Sequence, residues 1–229
     1  MKHITLNKTT VLNLVLIAVT FVGITVTGIV YRQSFLRILP LYVSLIVGLL
    51  QAGANRYASL LGGINSILYT IVYFLLGLYA SAWYALFFSC PIQIATFIRW
   101  SRHTYGQSTV FRKMTGKQRL LTVILCAVSF GLLYVILRAL GSSYQLLDIT
   151  TSILGILISI LTMLAYVEYS WLMLPSGIIN IVLHITMMAD YPAQITYLVF
   201  SLYSMICVTR GFFRVRRLYA EQNAKEKEA

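Results

Sequence analysis

Six stretches of the chain, Thr9 to Tyr31, Ile38 to Asn55, Leu120 to Leu137, Ile149 to Val167, Tyr169 to Ala189 and Tyr191 to Thr209, contain no Asp, Glu, Lys or Arg. Each is about 20 residues long, enough for one helix to cross the hydrocarbon core of a bilayer. A seventh uncharged stretch, Tyr57 to Ile98, is about twice that length and reads as two helices joined by a tight hairpin. The hairpin is expected near Tyr79 to Trp83, because Tyr and Trp suit the membrane interface. The runs are continuously apolar instead of alternating, which predicts helices and not a barrel. The expected fold is an all-α integral membrane protein of eight transmembrane helices. A composition of 59% hydrophobic and 10% charged residues over 229 positions excludes a soluble domain.

A formal net charge of +12 would suggest nucleic acid as the partner of a soluble protein. Here the basic residues lie between or after the spans, the pattern of membrane anchoring, so the expected surroundings are a lipid bilayer and no nucleic acid. The loop after span four carries Arg99, Arg102, Arg112, Lys113, Lys117 and Arg119, and the tail carries Arg210, Arg214, Arg216, Arg217, Lys225 and Lys227. Both are expected to be cytoplasmic, and with eight crossings the amino terminus is too. Arg32 and Arg37, placed outside, are the exception. No A-x-A-like cleavage site follows the first run, so a removable signal peptide is not expected. Cys90, Cys126 and Cys207 lie in apolar runs without metal or disulfide spacing and read as packing residues.

Spans three and seven share a short pattern. A glycine stands three residues before an asparagine and a leucine three after it, as Gly62, Asn65 and Leu68, then as Gly177, Asn180 and Leu183. On a helix the three lie close to one face. The two spans are four apart and cross in the same direction, so the implied repeat is parallel, about an axis along the membrane normal. Ser44 and Gly48 match Ser152 and Gly155, and Phe88, Ser89 and Arg99 match Phe200, Ser201 and Arg210. A 3+1+3 parallel repeat follows, preceded by one extra amino-terminal helix. The expected divisions are residues 1–34 for that helix, 35–100 for the first three-helix bundle, 101–141 for a basic loop and linker helix, 142–213 for the second bundle and 214–229 for a basic tail.

Paired carboxylates, His/Cys ligand clusters, phosphate-cradling glycine loops and serine elbows are all missing from the sequence, which disfavours an enzyme and predicts no cofactor or metal. What the spans do contain is polar and uncharged: Asn65, Gln93, Asn180 and His184, with the aromatic residues Tyr69, Tyr73, Trp100 and Trp171. Amides bond directionally and aromatic faces stack on planar rings, so this set suits a planar, hydrogen-bonding small solute. Each also has a plainer explanation. Either asparagine alone serves equally as interhelical glue, and it is the duplication that favours a functional pair. Gln93, two residues after Pro91, is also placed to satisfy a carbonyl freed by the proline. His184 is as readily a packing residue, and Trp100 and Trp171 near span ends as readily interfacial anchors.

The stretch Gly63-Ile64-Asn65, then Leu78-Tyr79-Ala80-Ser81, Gln93 and Trp100, resembles the third and fourth helices of the PnuC family of bacterial vitamin transporters. Leu147-Asp148, Tyr166-Val167-Glu168, Trp171 and Ile178-Ile179-Asn180 resemble its second bundle. The resemblance spans about residues 36 to 215 and implies the 3+1+3 fold shared with the SWEET sugar transporters. It further implies facilitated diffusion of nicotinamide riboside, trapped by a cytoplasmic kinase, in a bacterial inner membrane. By the same resemblance Asn65, Gln93, Trp171 and Asn180 line the site, to which the residues above add Tyr69, His184 and Trp100. The sequence departs from the family's Trp-x-x-Trp pattern: position 174 is Leu, and Asn180 stands nine residues after Trp171 instead of seven. That shift bears on which vitamin or nucleoside is carried, since relatives take thiamine, riboflavin or deoxynucleosides. A scaffold docking a soluble partner on the basic loop is the competing reading, and the sequence leaves open whether span one packs on the core or mediates a homo-oligomer.

Overall fold

A computed structural model of the chain describes residues 8–139 and 144–228. Among these, eight helices are long and apolar enough to cross a membrane. They are α1 (Lys8–Val30), α2 (Phe35–Ala52), α3 (Tyr57–Leu75), a composite fourth span, α6 (Gly116–Ala139), α7 (Gln145–Met163), α8 (Tyr169–Asp190) and α9 (Ile195–Glu228). The fourth span joins α4 (Tyr79–Trp83), a π-helical turn (Tyr84–Ser89) and α5 (Cys90–Arg102). Pro91 lacks an N–H and cannot close a regular turn with the residue four before it, and the π turn beside it absorbs the altered register. The hairpin between spans three and four lies at Leu76–Leu78, not at Tyr79–Trp83, which instead forms the first turn of span four. Gly77 sets that turn with φ of +68°, a conformation in which a Cβ is strained.

The packing order shows the repeat. Within the first half α3 packs between α2 and α5, and within the second α8 packs between α7 and α9. The halves then close on each other through α2 against α9 and α5 against α7. Exchanging the two halves leaves this order of neighbours unchanged, as the repeat read from the sequence requires. The two crossing contacts use the same device. Gly48 of α2 admits the ring of Tyr203 from α9, with a hypothetical Cβ 3.0 Å from Cε1, and Gly155 of α7 admits Tyr84 of the fourth span, with a Cβ 2.9 Å from Cζ. Equivalent turns after α2 and α7 place Ala54 and Ala165 at φ of 51° and 58°. Each is closed by an N–H five residues on, Asn55 to the Leu50 carbonyl and Tyr166 to the Leu161 carbonyl, both at 2.9 Å.

α6 packs on α7 alone among the larger helix contacts, as a linker should, and its span has no buried residues. α1 packs on α9 and α2, where Gly23 meets Val199 and Gly28 meets Ile38, and the hydroxyls of Thr25 and Tyr42 bond at 2.8 Å. The eighth span does not stop at the basic tail: α9 continues unbroken to Glu228.

The turns after α2 and α7, the loop after α5 and the extension of α9 lie together at one end, here called the basic end. The loop holds a short antiparallel pair, β1 (Thr104–Tyr105) with β2 (Ser108–Thr109). It is tied to both halves. Arg56 N–H donates to the Gln107 carbonyl at 3.0 Å, and Arg112 N–H donates to the Ala165 carbonyl at 2.9 Å. Glu168 accepts from Met114 N–H at 3.1 Å and pairs with Arg119 at 2.8 Å.

Candidate functional site

Between the halves lies a cavity of ≈ 350 Å³. Its wall draws on α2, α3, the fourth span, α7, α8 and α9, and on neither α1 nor α6. Toward the basic end it reaches Asn55, Trp100 and Tyr169, and toward the other end Leu78, Leu183 and Tyr197. An apolar layer stands at each end. One gathers Trp100, Phe111, Met114, Tyr166 and Tyr169, and the other Leu78, Leu183 and Met187. None of the residues lining the cavity is Asp, Glu, Lys or Arg.

Five of the seven residues singled out from the sequence meet at this cavity: Tyr69, Gln93, Trp100, Asn180 and His184. Gln93 Nε2 donates to the hydroxyls of Ser89 at 2.7 Å and Ser66 at 3.1 Å, so it does not serve the carbonyl freed by Pro91. Its Oε1 lies over Gly62, where a Cβ would stand at 1.9 Å, which explains the glycine physically. Asn180 Nδ2 is held by the Ser176 carbonyl of its own helix at 2.9 Å. His184 is 9% exposed, stacks on Tyr197 with ring centres 5.7 Å apart, and has no partner for Nδ1. That nitrogen is itself buried, and Gln194, whose Oε1 is likewise buried, is the polar side chain that acts on the imidazole. Trp100 is no interfacial anchor. It is 3% exposed, donates Nε1–H to the Thr162 carbonyl of α7 at 2.9 Å and meets the Phe111 ring edge-on at 5.7 Å.

Two residues lie elsewhere. Asn65 is 3% exposed and faces α2, where Nδ2 donates to Ser44 Oγ at 2.7 Å and to the Pro40 carbonyl at 3.1 Å. Ser44 in turn bonds the Tyr69 hydroxyl at 2.9 Å, so Asn65 reaches the cavity only by holding Tyr69 in place. Trp171 is 53% exposed on the outer surface, under the Arg216 guanidinium at 4.7 Å and against Phe212 at 4.8 Å. α8 presents Asn180 to the cavity and Trp171 away from it. Nine residues are two and a half helical turns, which separates the two faces.

The sequence reading did not single out Ser81 and Tyr84 on the fourth span, although both line the cavity. The Tyr84 hydroxyl and Ser159 lie 3.0 Å apart across the two halves. Spacing was the available signal, since residues 81 and 84 share a helical face. Ser81 donates to Asp148 at 2.5 Å, and Asp148 is 0% exposed in the first turn of α7. The helix N-terminus favours a carboxylate there.

The sequence model of a family described as nicotinamide mononucleotide transporters matches residues 34–211. No curated protein matches. A solved structure titled "Crystal structure of the Vitamin B3 transporter PnuC" is similar with a TM-score of 0.78 at 20% identity, covering 93% of this chain and 92% of that one. The solved structure shows a shared fold, and the family model, matched over more than half of the chain, makes it a transporter family and not an enzyme family. With its middle 178 residues, 34 to 211, matched out of 229, the chain belongs to the nicotinamide mononucleotide transporter family, the family of PnuC whose pattern its residues resemble.

Proposed function

We propose that the chain is a uniporter for nicotinamide riboside, the unphosphorylated nucleoside. The observation that carries this reading is the uncharged wall of the cavity. A phosphate buried there would find no Lys or Arg, and burying an unpaired charge is costly. The riboside carries no phosphate, and its one charge is a delocalised cation. Its pyridinium ring suits the aromatic faces of Tyr69, Tyr73 and Trp100 through cation–π attraction, and its carboxamide and ribose suit Gln93, Asn180 and His184. The same chemistry explains trapping: a cytoplasmic kinase adds the phosphate that the cavity excludes.

In this reading the basic end faces the cytoplasm of a bacterium, both termini lie inside, and the bundles 35–100 and 142–213 rock about the cavity. No carboxylate lines the cavity to couple an ion gradient. Uptake of labelled riboside into proteoliposomes tests the proposal. It should run down the riboside gradient and ignore imposed proton or sodium gradients at zero membrane potential. Accumulation above the external concentration driven by either gradient would reject uniport.

A further inference from the structure

A separate cleft of ≈ 690 Å³ opens on the outer surface at the basic end, lined by Lys113, Arg119, Glu168, Trp171, Arg216 and Tyr219, among others. Its cations come from three elements: the loop, the first turn of α6 and the extension of α9. Glu168 pairs with Arg119 at 2.8 Å, while Lys113 and Arg216 belong to neither of the ion pairs found among the described residues. The cleft therefore keeps an excess of positive charge, and both residues are exposed.

Position says what that charge meets. Trp171 is within the first turn of α8 and half exposed, and an aromatic side chain at the end of a span suits the headgroup region of a bilayer. Beyond Arg119, α6 presents Leu120, Leu121, Val123 and Ile124, all half or more exposed, to lipid. The Arg216 guanidinium is already held over the Trp171 ring at 4.7 Å, which spares part of the ordering cost of binding. We propose that this cleft holds the headgroup of an anionic phospholipid. Lys113 and Arg216 engage its phosphate, and its acyl chains follow the exposed apolar faces into the membrane. A soluble anion would use the cations and leave the apolar faces empty.

Thermal unfolding of the purified full-length protein in neutral detergent tests this, with phosphatidylglycerol, phosphatidylcholine or inorganic phosphate added. Phosphatidylglycerol should raise the midpoint and the other two should not. Lys113→Gln with Arg216→Gln should weaken apparent lipid affinity by about five-fold for each residue changed. Arg102→Gln with Arg214→Gln, the same loss of charge outside the cleft, should leave it unchanged. In a Trp83→Phe background, brominated phosphatidylglycerol should quench Trp171 more than brominated phosphatidylcholine, a readout that needs no cleft variant. Equal responses to the two lipids, equal losses in the two variant pairs, or a shift with inorganic phosphate alone would overturn the proposal.

Discussion

A methyl group on Gly62 would stand 1.9 Å from Gln93 Oε1. The obstacle is the end of a flexible side chain, so Gly62→Ala should fold and push the carboxamide away from Ser66 and Ser89. Riboside uptake should fall about ten-fold, the worth of one well-placed hydrogen bond, with little change in the unfolding midpoint. The two asparagines should separate in the opposite sense. Asn180→Leu should weaken riboside binding about ten-fold, whereas Asn65→Leu should cost about 1 kcal/mol of stability and only mildly affect binding. Calorimetry and thermal unfolding on the same preparations check both. The sequence showed that these amides were duplicated and which helices carried them. It did not show that Asn65 faces α2 and Asn180 the cavity, because periodicity gives a helix its polar face but not the neighbour that face meets.

At the scale of elements, runs of uncharged residues made the eight spans legible. The π turn before Pro91 and the exact site of the hairpin were not, since both depend on a register of backbone bonds that composition does not encode. The duplicated turns after α2 and α7 hold an alanine in the left-handed region, at a local cost of about 1 kcal/mol. Ala54→Gly and Ala165→Gly should each raise the unfolding midpoint, the gain being partly offset by the more flexible unfolded chain. No gain at either turn would mean that the surrounding bonds already determine the conformation.

For the whole molecule, the parallel repeat was readable from the matching frames of Asn65 and Asn180, and the closed ring of neighbours agrees with it. The loop joining both halves at the basic end was read only as a source of charge, because its contacts with Ala165 and Glu168 bring together residues more than fifty positions apart. Asn55 Nδ2 donates to Gln107 Oε1 across this junction at 3.1 Å. A disulfide between Asn55→Cys and Gln107→Cys should therefore fix the loop to the first half, arrest uptake if the halves move, and release it on reduction. The account's central claim is that an uncharged cavity selects the nucleoside over its phosphate. Binding of nicotinamide riboside and nicotinamide mononucleotide to the purified protein, compared at equal concentration by calorimetry, tests it most directly. The riboside should bind and lose that binding in Gln93→Leu with Asn180→Leu, while the mononucleotide should give no heat. Mononucleotide binding as tight as that of the riboside, or riboside binding untouched by the double substitution, would contradict it.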